Sequence, residues 1–229
     1  MAKPLAVVLL SGGLDSCVTA ALAARDHDLA LLHVKYGQRT EAREERAFRD
    51  LCEYFRPRYS LITEVPALKA IGGSALTDAS IAVPEKEPDP RSIPVTYVPF
   101  RNAHFLAIAT SWAEVLGAEK IFIGANELDF SGYPDCRRSF FDAFEKAIEE
   151  GTRPETHIRI ETPLIYLTKA QIVRLGAELK APFHLTWSCY QQEETACGRC
   201  ESCRLRLKAF AEAGLKDPIP YASSATEDL

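Results

Sequence analysis

The chain has no run of the roughly 20 apolar residues that a membrane-spanning helix needs. Its N-terminus lacks the leader order of basic region, apolar region and small-residue cleavage site. The opening apolar run, Leu5 to Leu10, is too short and leads into a Gly-Gly turn. These absences predict a cytoplasmic protein with no membrane partner. Positive charge is not in excess either: 27 Lys and Arg face 32 Asp and Glu, a net charge of -5. A dedicated nucleic-acid binder with a basic face is therefore not expected. No internal repeat and no low-complexity tract is present, which argues against solenoids and long disordered tails. Two nucleotide-binding signatures are missing. No Lys follows the N-terminal glycines, as the P-loop of NTPases requires, and there is no Gly-x-Gly-x-x-Gly.

What is present suits one α/β domain, or one domain with an appendage. The 229 residues are 47% apolar and 26% charged, enough for a full core. Leu5 to Leu10 and Leu29 to Val34 are apolar without polar alternation, so both read as strands buried on two faces of a parallel sheet. Arg58 to Thr63, Lys120 to Gly124 and Ile158 to Ile160 complete the expected strands. Helices are expected at Asp15 to Arg25, Glu41 to Tyr54, Asn102 to Leu116, Ser139 to Glu149, Thr168 to Leu179 and Cys203 to Ala213. The fifth opens with the capping-box pattern Thr-Lys-Ala-Gln. Alternation of this kind predicts a doubly wound, Rossmann-like parallel sheet, and four cysteines clustered near the C-terminus add a C-terminal helical zinc-binding appendage. The expected division is residues 1–183 for the α/β domain and 184–229 for the appendage. Between the third strand and the next helix, Ala67 to Phe100 holds Gly72, Gly73 and five prolines. It reads either as a mobile cover over a site or as a linker.

The most informative segment is Ser11-Gly-Gly-Leu-Asp-Ser16, directly after the first strand. Open parallel sheets bind ligands at the carboxyl ends of their strands. Gly12 and Gly13 let backbone approach a phosphate, and the following helix aims free N–H groups and its positive dipole end at the same spot. Ser11 and Ser16 add hydroxyl donors. Asp15 would repel phosphate, so it fits either a helix cap or a ligand to a Mg2+ ion that bridges phosphates.

Near the C-terminus, Cys189, Cys197, Cys200 and Cys203 are spaced C-x7-C-x2-C-x2-C. In a reducing compartment such a cluster reads as metal ligands rather than disulfides. Four thiolates suit one structural zinc, and the C-x2-C-x2-C run is also compatible with an iron–sulfur cluster. Nothing nearby suggests electron transfer. A nucleic-acid-binding ribbon is disfavoured, because four positive residues against three negative leave the Trp187–Lys208 segment a net +1. Cys17 and Cys52 read as small buried residues, and Cys136 as a loop thiol without an evident base. His33 and His104 read as packed residues before catalytic ones.

The hexapeptide Ser11–Ser16 resembles the pyrophosphate loop of the ATP pyrophosphatase (PP-loop) family. Members cleave ATP between its α and β phosphates and adenylate a substrate oxygen. Val98-Pro-Phe-Arg-Asn102, Gly124-Ala-Asn-Glu-Leu-Asp129, Ser131-Gly-Tyr-Pro-Asp-Cys-Arg137, Thr162 to Lys169 and Thr186-Trp-Ser-Cys-Tyr190 narrow the likeness. Together they resemble the 7-cyano-7-deazaguanine synthase family of queuosine precursor biosynthesis, from Leu5 to about Pro218. Little motif is recognisable between Arg39 and Ala82. The resemblance implies that 7-carboxy-7-deazaguanine, ammonia and ATP are the substrates and that the product is a nitrile. It implies an ATP grip by Leu10, Ser11, Gly12, Gly13, Leu14, Asp15, Ser16 and Cys17. Asp15, Arg101 and Lys169 are the candidate catalytic residues. Asn102, Asn126, Asp129, Tyr133, Asp135 and Arg137 are the candidate substrate contacts. One zinc per chain and a homodimer are expected. The chain has no room for a glutaminase domain, so nitrogen is expected as free ammonia or from a separate partner. A tRNA-modifying relative that adenylates a base in RNA is the alternative, and the net negative charge weighs against it.

Overall fold

The computed structural model describes residues 3–84, 92–128 and 133–222. A five-stranded, wholly parallel sheet forms its centre: β1 Leu5–Leu9, β2 Asp28–Lys35, β3 Tyr59–Glu64, β4 Lys120–Ile123 and β5 Arg159–Glu161. The helices are α1 Leu14–Asp26, α2 Glu41–Phe55, α3 Pro66–Ile71, α4 Arg101–Leu116, α5 Arg138–Gly151, α6 Lys169–Glu178 and α7 Glu201–Glu212. Every expected strand and helix is present, with boundaries moved by a residue or two. The short helix α3 is additional. It occupies the start of the segment expected to be irregular, and Pro66 at its first position supplies a preset φ. Thr168 caps α6 with both hydrogen bonds of the capping box, to and from Gln171.

The strand order is β3-β2-β1-β4-β5. Alternate residues of one strand point to opposite faces, so a doubly buried strand needs apolar residues throughout. Ala6 and Val8 of β1 pack on one face against α1, α2, α6 and α7, where Val18, Phe48, Ile172 and Phe210 lie. Val7 and Leu9 pack on the other against α4 and α5, through Leu106, Ala109, Phe141 and Ile148. The unbroken apolar run that opens the chain is thus explained by two helical layers, not one.

The chain reverses its direction of travel across the sheet at β1. Strands β2 and β3 lie on one side of it, and β4 and β5 on the other. The loops leaving β1 and β4 therefore part company and open a crevice at their carboxyl ends. No helix among the described residues is long and apolar enough to cross a membrane.

Candidate active site

The crevice is a cavity of about 260 Å³. Its floor is the turn between β1 and α1. Gly12 adopts φ +91°, a left-handed region that other residues rarely occupy. A Cβ there would also stand 2.8 Å from the backbone oxygen of Glu44 and 3.0 Å from Ala47 Cβ. The Gly12 carbonyl accepts from the Trp187 backbone N–H at 2.9 Å, which moors the start of the C-terminal segment to the loop. The Gly13 N–H donates to Ser11 Oγ at 3.2 Å, and Ser16 Oγ donates to the Gly13 carbonyl at 3.0 Å. Ser11 Oγ and Ser16 Oγ lie 3.1 Å apart. Together these contacts hold the two hydroxyls beside the free N–H groups of the α1 N-terminus, which carries no side-chain cap. That is a polar cradle for an anion.

Lys169, first residue of α6, donates from Nζ to Asp15 Oδ2 at 2.6 Å. The other oxygen, Asp15 Oδ1, is buried with no partner among the described residues. A buried carboxylate oxygen with spare lone pairs beside an anion cradle suits a hard cation, so the residues fit the expected Mg2+. Gly124 closes this side. Its absent side chain lets the end of β4 press on α1, and a Cβ there would lie 2.9 Å from the Asp15 carbonyl carbon.

Opposite the cradle stands Arg101 at the start of α4. The preceding Phe100 holds a left-handed backbone at φ +58°, a strained state for a non-glycine residue. Three contacts fix it: Phe100 N–H to Tyr97 Oη at 2.9 Å, Arg101 N–H to the Val98 carbonyl at 3.2 Å, and Asn102 N–H to Asp135 Oδ2 at 2.9 Å. The Arg101 guanidinium donates to Tyr36 Oη at 3.2 Å and lies 5.5 and 5.6 Å from the ring centres of Tyr36 and Phe105. Burial opposes its charge, but Tyr36, Asp135 and Cys136 outweigh that and hold its pKa above the ordinary value. A planar cation on an aromatic ledge can pair with a carboxylate or a phosphate.

Of the sequence-predicted residues, Leu10, Ser11, Gly13, Leu14, Asp15, Ser16, Arg101, Asn102, Asn126, Tyr133 and Lys169 line this one cavity. Gly12 packs against α2 behind it. Cys17 points into the core from α1, and burial pushes its thiol up to about 12. Asp135 is buried and caps α4 through Asn102, so it positions the Arg101 turn without lining the cavity. Arg137 is exposed and outside the lining. Asp129 lies outside the described residues. Asn126 uses its amide N–H groups on the carbonyls of Leu164 and Leu167. Tyr133 Oη is 2.7 Å from Thr96 Oγ1, which also donates to Glu201 Oε2 at 3.3 Å. His33 is a packed residue. Its ring lies 5.1 Å from Phe48, its Nδ1 is 3.1 Å from the Leu10 carbonyl, and burial pushes its pKa down.

Sequence reasoning missed a whole wall of the cavity: Tyr36, Gln38, Arg39, Thr40 and Glu44, between β2 and α2. The signal was available. A segment leaving the carboxyl end of a strand next to β1 must flank the same crevice. Arg39 spans from this wall to the irregular segment, donating to the carbonyls of Ala75 at 2.6 Å, Asp78 at 3.1 Å and Ile81 at 2.6 Å. The part of 67–100 that is described is thus fastened over the site side rather than hanging as a linker.

The four cysteine sulfurs of the C-terminal cluster lie within 4.8 Å of one another, all buried. Backbone N–H groups of Gln191, Gln192 and Cys197 donate to Cys189 Sγ at 3.4, 3.3 and 3.4 Å, and that of Cys200 donates to Cys197 Sγ at 3.3 Å. Donors converging on sulfur stabilise thiolates, so the donor set fits a tetrahedral zinc. Gly198, at φ +71°, makes the turn between two ligands. Arg206, one of the positive residues counted near the cluster, is buried. It forms a bidentate pair with Asp217 at 2.7 and 2.9 Å and also donates to Thr186 Oγ1 at 2.7 Å. It staples the chain rather than offering charge to a partner. Tyr190 and Ser202 of this segment line the cavity, so the metal cluster backs onto it.

Comparison with known proteins agrees with this architecture. The family model described as queuosine biosynthesis protein QueC matches residues 5–214. The chain is 60% identical over 221 residues to a 7-cyano-7-deazaguanine synthase from Acidobacterium capsulatum, covering 95% of this chain and 96% of that protein. It is 55% identical over 217 residues to one from Chlorobium chlorochromatii, covering 94% and 95%. Among solved structures, an NMN synthetase from Francisella tularensis shares the fold, with a TM-score of 0.51 at 17% identity. That alignment covers 99% of this chain and 82% of the other.

Proposed function

The chain belongs to the queuosine biosynthesis protein QueC family, and from that premise we propose that it makes 7-cyano-7-deazaguanine from 7-carboxy-7-deazaguanine, ammonia and ATP. One observation carries this reading: the Ser11–Ser16 cradle and the Arg101 ledge face a single cavity at the switch point of the sheet. An enzyme that joins a nucleotide phosphate to a substrate carboxylate needs an anion grip at each end, because both partners are negative.

The chemistry is leaving-group activation. A carboxylate oxygen is a poor leaving group and AMP is a good one. The substrate carboxylate attacks the α-phosphorus, pyrophosphate leaves, and an acyl adenylate forms. Ammonia displaces AMP to give the amide. A second ATP activates the amide oxygen, and loss of AMP and N–H protons yields the nitrile. Ser11, Ser16 and the α1 N-terminal N–H groups hold the departing pyrophosphate. Lys169 neutralises phosphate charge and fixes Asp15. Arg101 orients the carboxylate between Tyr36 and Phe105. Asn102, Asn126 and Tyr133 shape the ring pocket. Trp187, Tyr190 and the Arg39-fastened segment shield the activated acyl group from water. Asp15 would hold Mg2+, which neutralises phosphate charge when bound. Cys189, Cys197, Cys200 and Cys203 would hold one zinc per chain, a cross-link with no vacant ligand position.

The test is incubation of the purified protein with ATP, ammonium and the carboxydeazaguanine, read by mass spectrometry. The amide and then the nitrile are expected, with AMP and pyrophosphate as nucleotide products. ADP and phosphate, or no nitrile, would overturn the assignment.

A further inference from the structure

Glu44, in the first turn of α2, lines the cavity, and none of the roles above uses it. Gln38 Nε2 donates to its Oε2 at 3.0 Å, and Thr40 Oγ1 donates to its Oε1 at 3.2 Å. Each carboxylate oxygen thus lies within reach of one donor and keeps a lone pair. The donors are themselves held. Gln38 Oε1 accepts from the Tyr36 backbone N–H at 2.9 Å, and the single Thr40 hydroxyl proton is shared between Glu44 Oε1 and the Cys189 carbonyl, each 3.2 Å from Oγ1. The groups that face Glu44 are Gln38 and Thr40 from the β2–α2 loop, Glu41 on its own helix, Tyr36 at the end of β2 and Arg101 on α4. Burial pushes its carboxyl up to about 7, against the opposing pull of Gln38, Thr40 and Arg101.

An amide-forming step at this cavity has an unmet requirement. In neutral water ammonia is nearly all ammonium, which has no lone pair with which to attack. The proton must be removed inside the site. Arg101 and Lys169 are cations and cannot take it, and Asp15 is engaged with Lys169 at the phosphate end. Among the described residues, Glu44 is the cavity carboxylate left, and it stands across from the arginine that would hold the reacting acyl group.

We propose, resting on the reading of this site as an ammonia-using ligase, that Glu44 binds the incoming ammonium ion and takes its proton. One N–H bond breaks, the proton passes to a Glu44 carboxylate oxygen, and the bonding pair stays on nitrogen. The resulting ammonia attacks the adenylated carbonyl carbon. The C–N bond forms, the C–O bond to AMP breaks, and AMP leaves with that pair. The surplus proton of the new amine goes to solvent. An acceptor that titrates near neutrality both takes a proton and gives it up between turnovers.

The test compares two nucleophiles in wild type and Glu44→Gln. Substrate-dependent exchange of pyrophosphate into ATP needs no amine and should stay within about twofold of wild type. Synthesis of the amide from ammonium should fall by roughly 10²-fold or more, the range for a lost general base. Hydroxylamine is neutral at pH 7 and should still trap the acyl adenylate as a hydroxamate at close to the wild-type rate. The variant's ammonium rate should climb with pH as free ammonia accumulates. An equal loss with both nucleophiles, or loss of exchange, overturns the proposal. If the variant does not fold, the wild type decides: an ionisation near pH 7 must appear in the ammonium profile and not in the hydroxylamine profile, and its absence overturns the proposal. Absence of exchange in the wild type instead refutes the parent reading of the site.

Discussion

Substituting Gly124 by Ala isolates what the β4 terminus does for the phosphate loop. Gly124 has no left-handed backbone to defend, so only space is at issue. The added Cβ would stand 2.9 Å from the Asp15 carbonyl carbon and 3.0 Å from both the Asp15 oxygen and the Ser16 nitrogen. Ordinary contact begins near 3.4 Å, so one side must yield by about 0.5 Å. The neighbours are backbone atoms of the first turn of α1, not the end of a flexible side chain. That turn therefore moves, carrying Asp15 and Ser16 with it. Overpacking of this kind costs about 1–3 kcal/mol, or a melting-point drop of roughly 3–10 °C in a protein of this size. Function should suffer more. A displacement of about 1 Å can cost 10²-fold in rate, so half of that predicts about a tenfold loss of AMP formation. The assay pairs a thermal melt with substrate-dependent AMP release. Wild-type AMP release at an unchanged melting point would show that the loop does not depend on this contact.

Four further outcomes follow from the same geometry. Asp15→Ala should abolish AMP release while costing only about 1 kcal/mol of stability, from the lost negative charge in the first turn of α1 and the lost Lys169 pair; near-normal turnover in the variant would refute a role at the phosphates. Purified protein should carry one zinc per chain with four sulfur neighbours near ~2.3 Å by X-ray absorption, and Cys200→Ser should lose metal and melt earlier; three sulfurs with an oxygen would place the ion in the chemistry. Arg206→Met leaves the buried Asp217 carboxylate without its cation, with Tyr221 Oη and the Ile219 N–H as its remaining donors, and should destabilise by about 3–5 kcal/mol in a denaturant titration; a change under about 1 kcal/mol would show that the pair is not desolvated. Glu44 has a folded-state pKa of about 7 against 4.5, so the folded chain binds more protons between those values and stability should fall as pH rises through that window. The slope is worth at most ~3 kcal/mol, less for the part of the group open to the cavity, and Glu44→Gln should flatten it.

Periodicity and turn chemistry made most of the fold legible. Unbroken apolar runs at β1 and β2 required burial on both faces, and alternation with amphipathic helices required parallel crossovers. The Ser11–Ser16 loop and the four-cysteine spacing are local, because each works through residues adjacent in the chain. Their chemistry could therefore be read without a structure. The site as a whole was not local. Strand order, set by the packing of two helical layers, is what puts Gly124 against Asp15, more than a hundred residues away in the chain, and Lys169 within 2.6 Å of the same carboxylate. It also turned Asp135 from an expected ring contact into the cap of α4. A carboxylate finds the nearest unpaired N–H groups, and no spacing rule says which helix end will supply them. For Glu44 the one signal was positional, the exit of its segment from the strand beside β1; the α2 sequence itself is that of an acidic, solvent-facing helix. The burial of Glu44 beside Arg101 exists only because α2 and α4, on opposite faces of the sheet, both begin at the mouth of the crevice that β1 and β4 open.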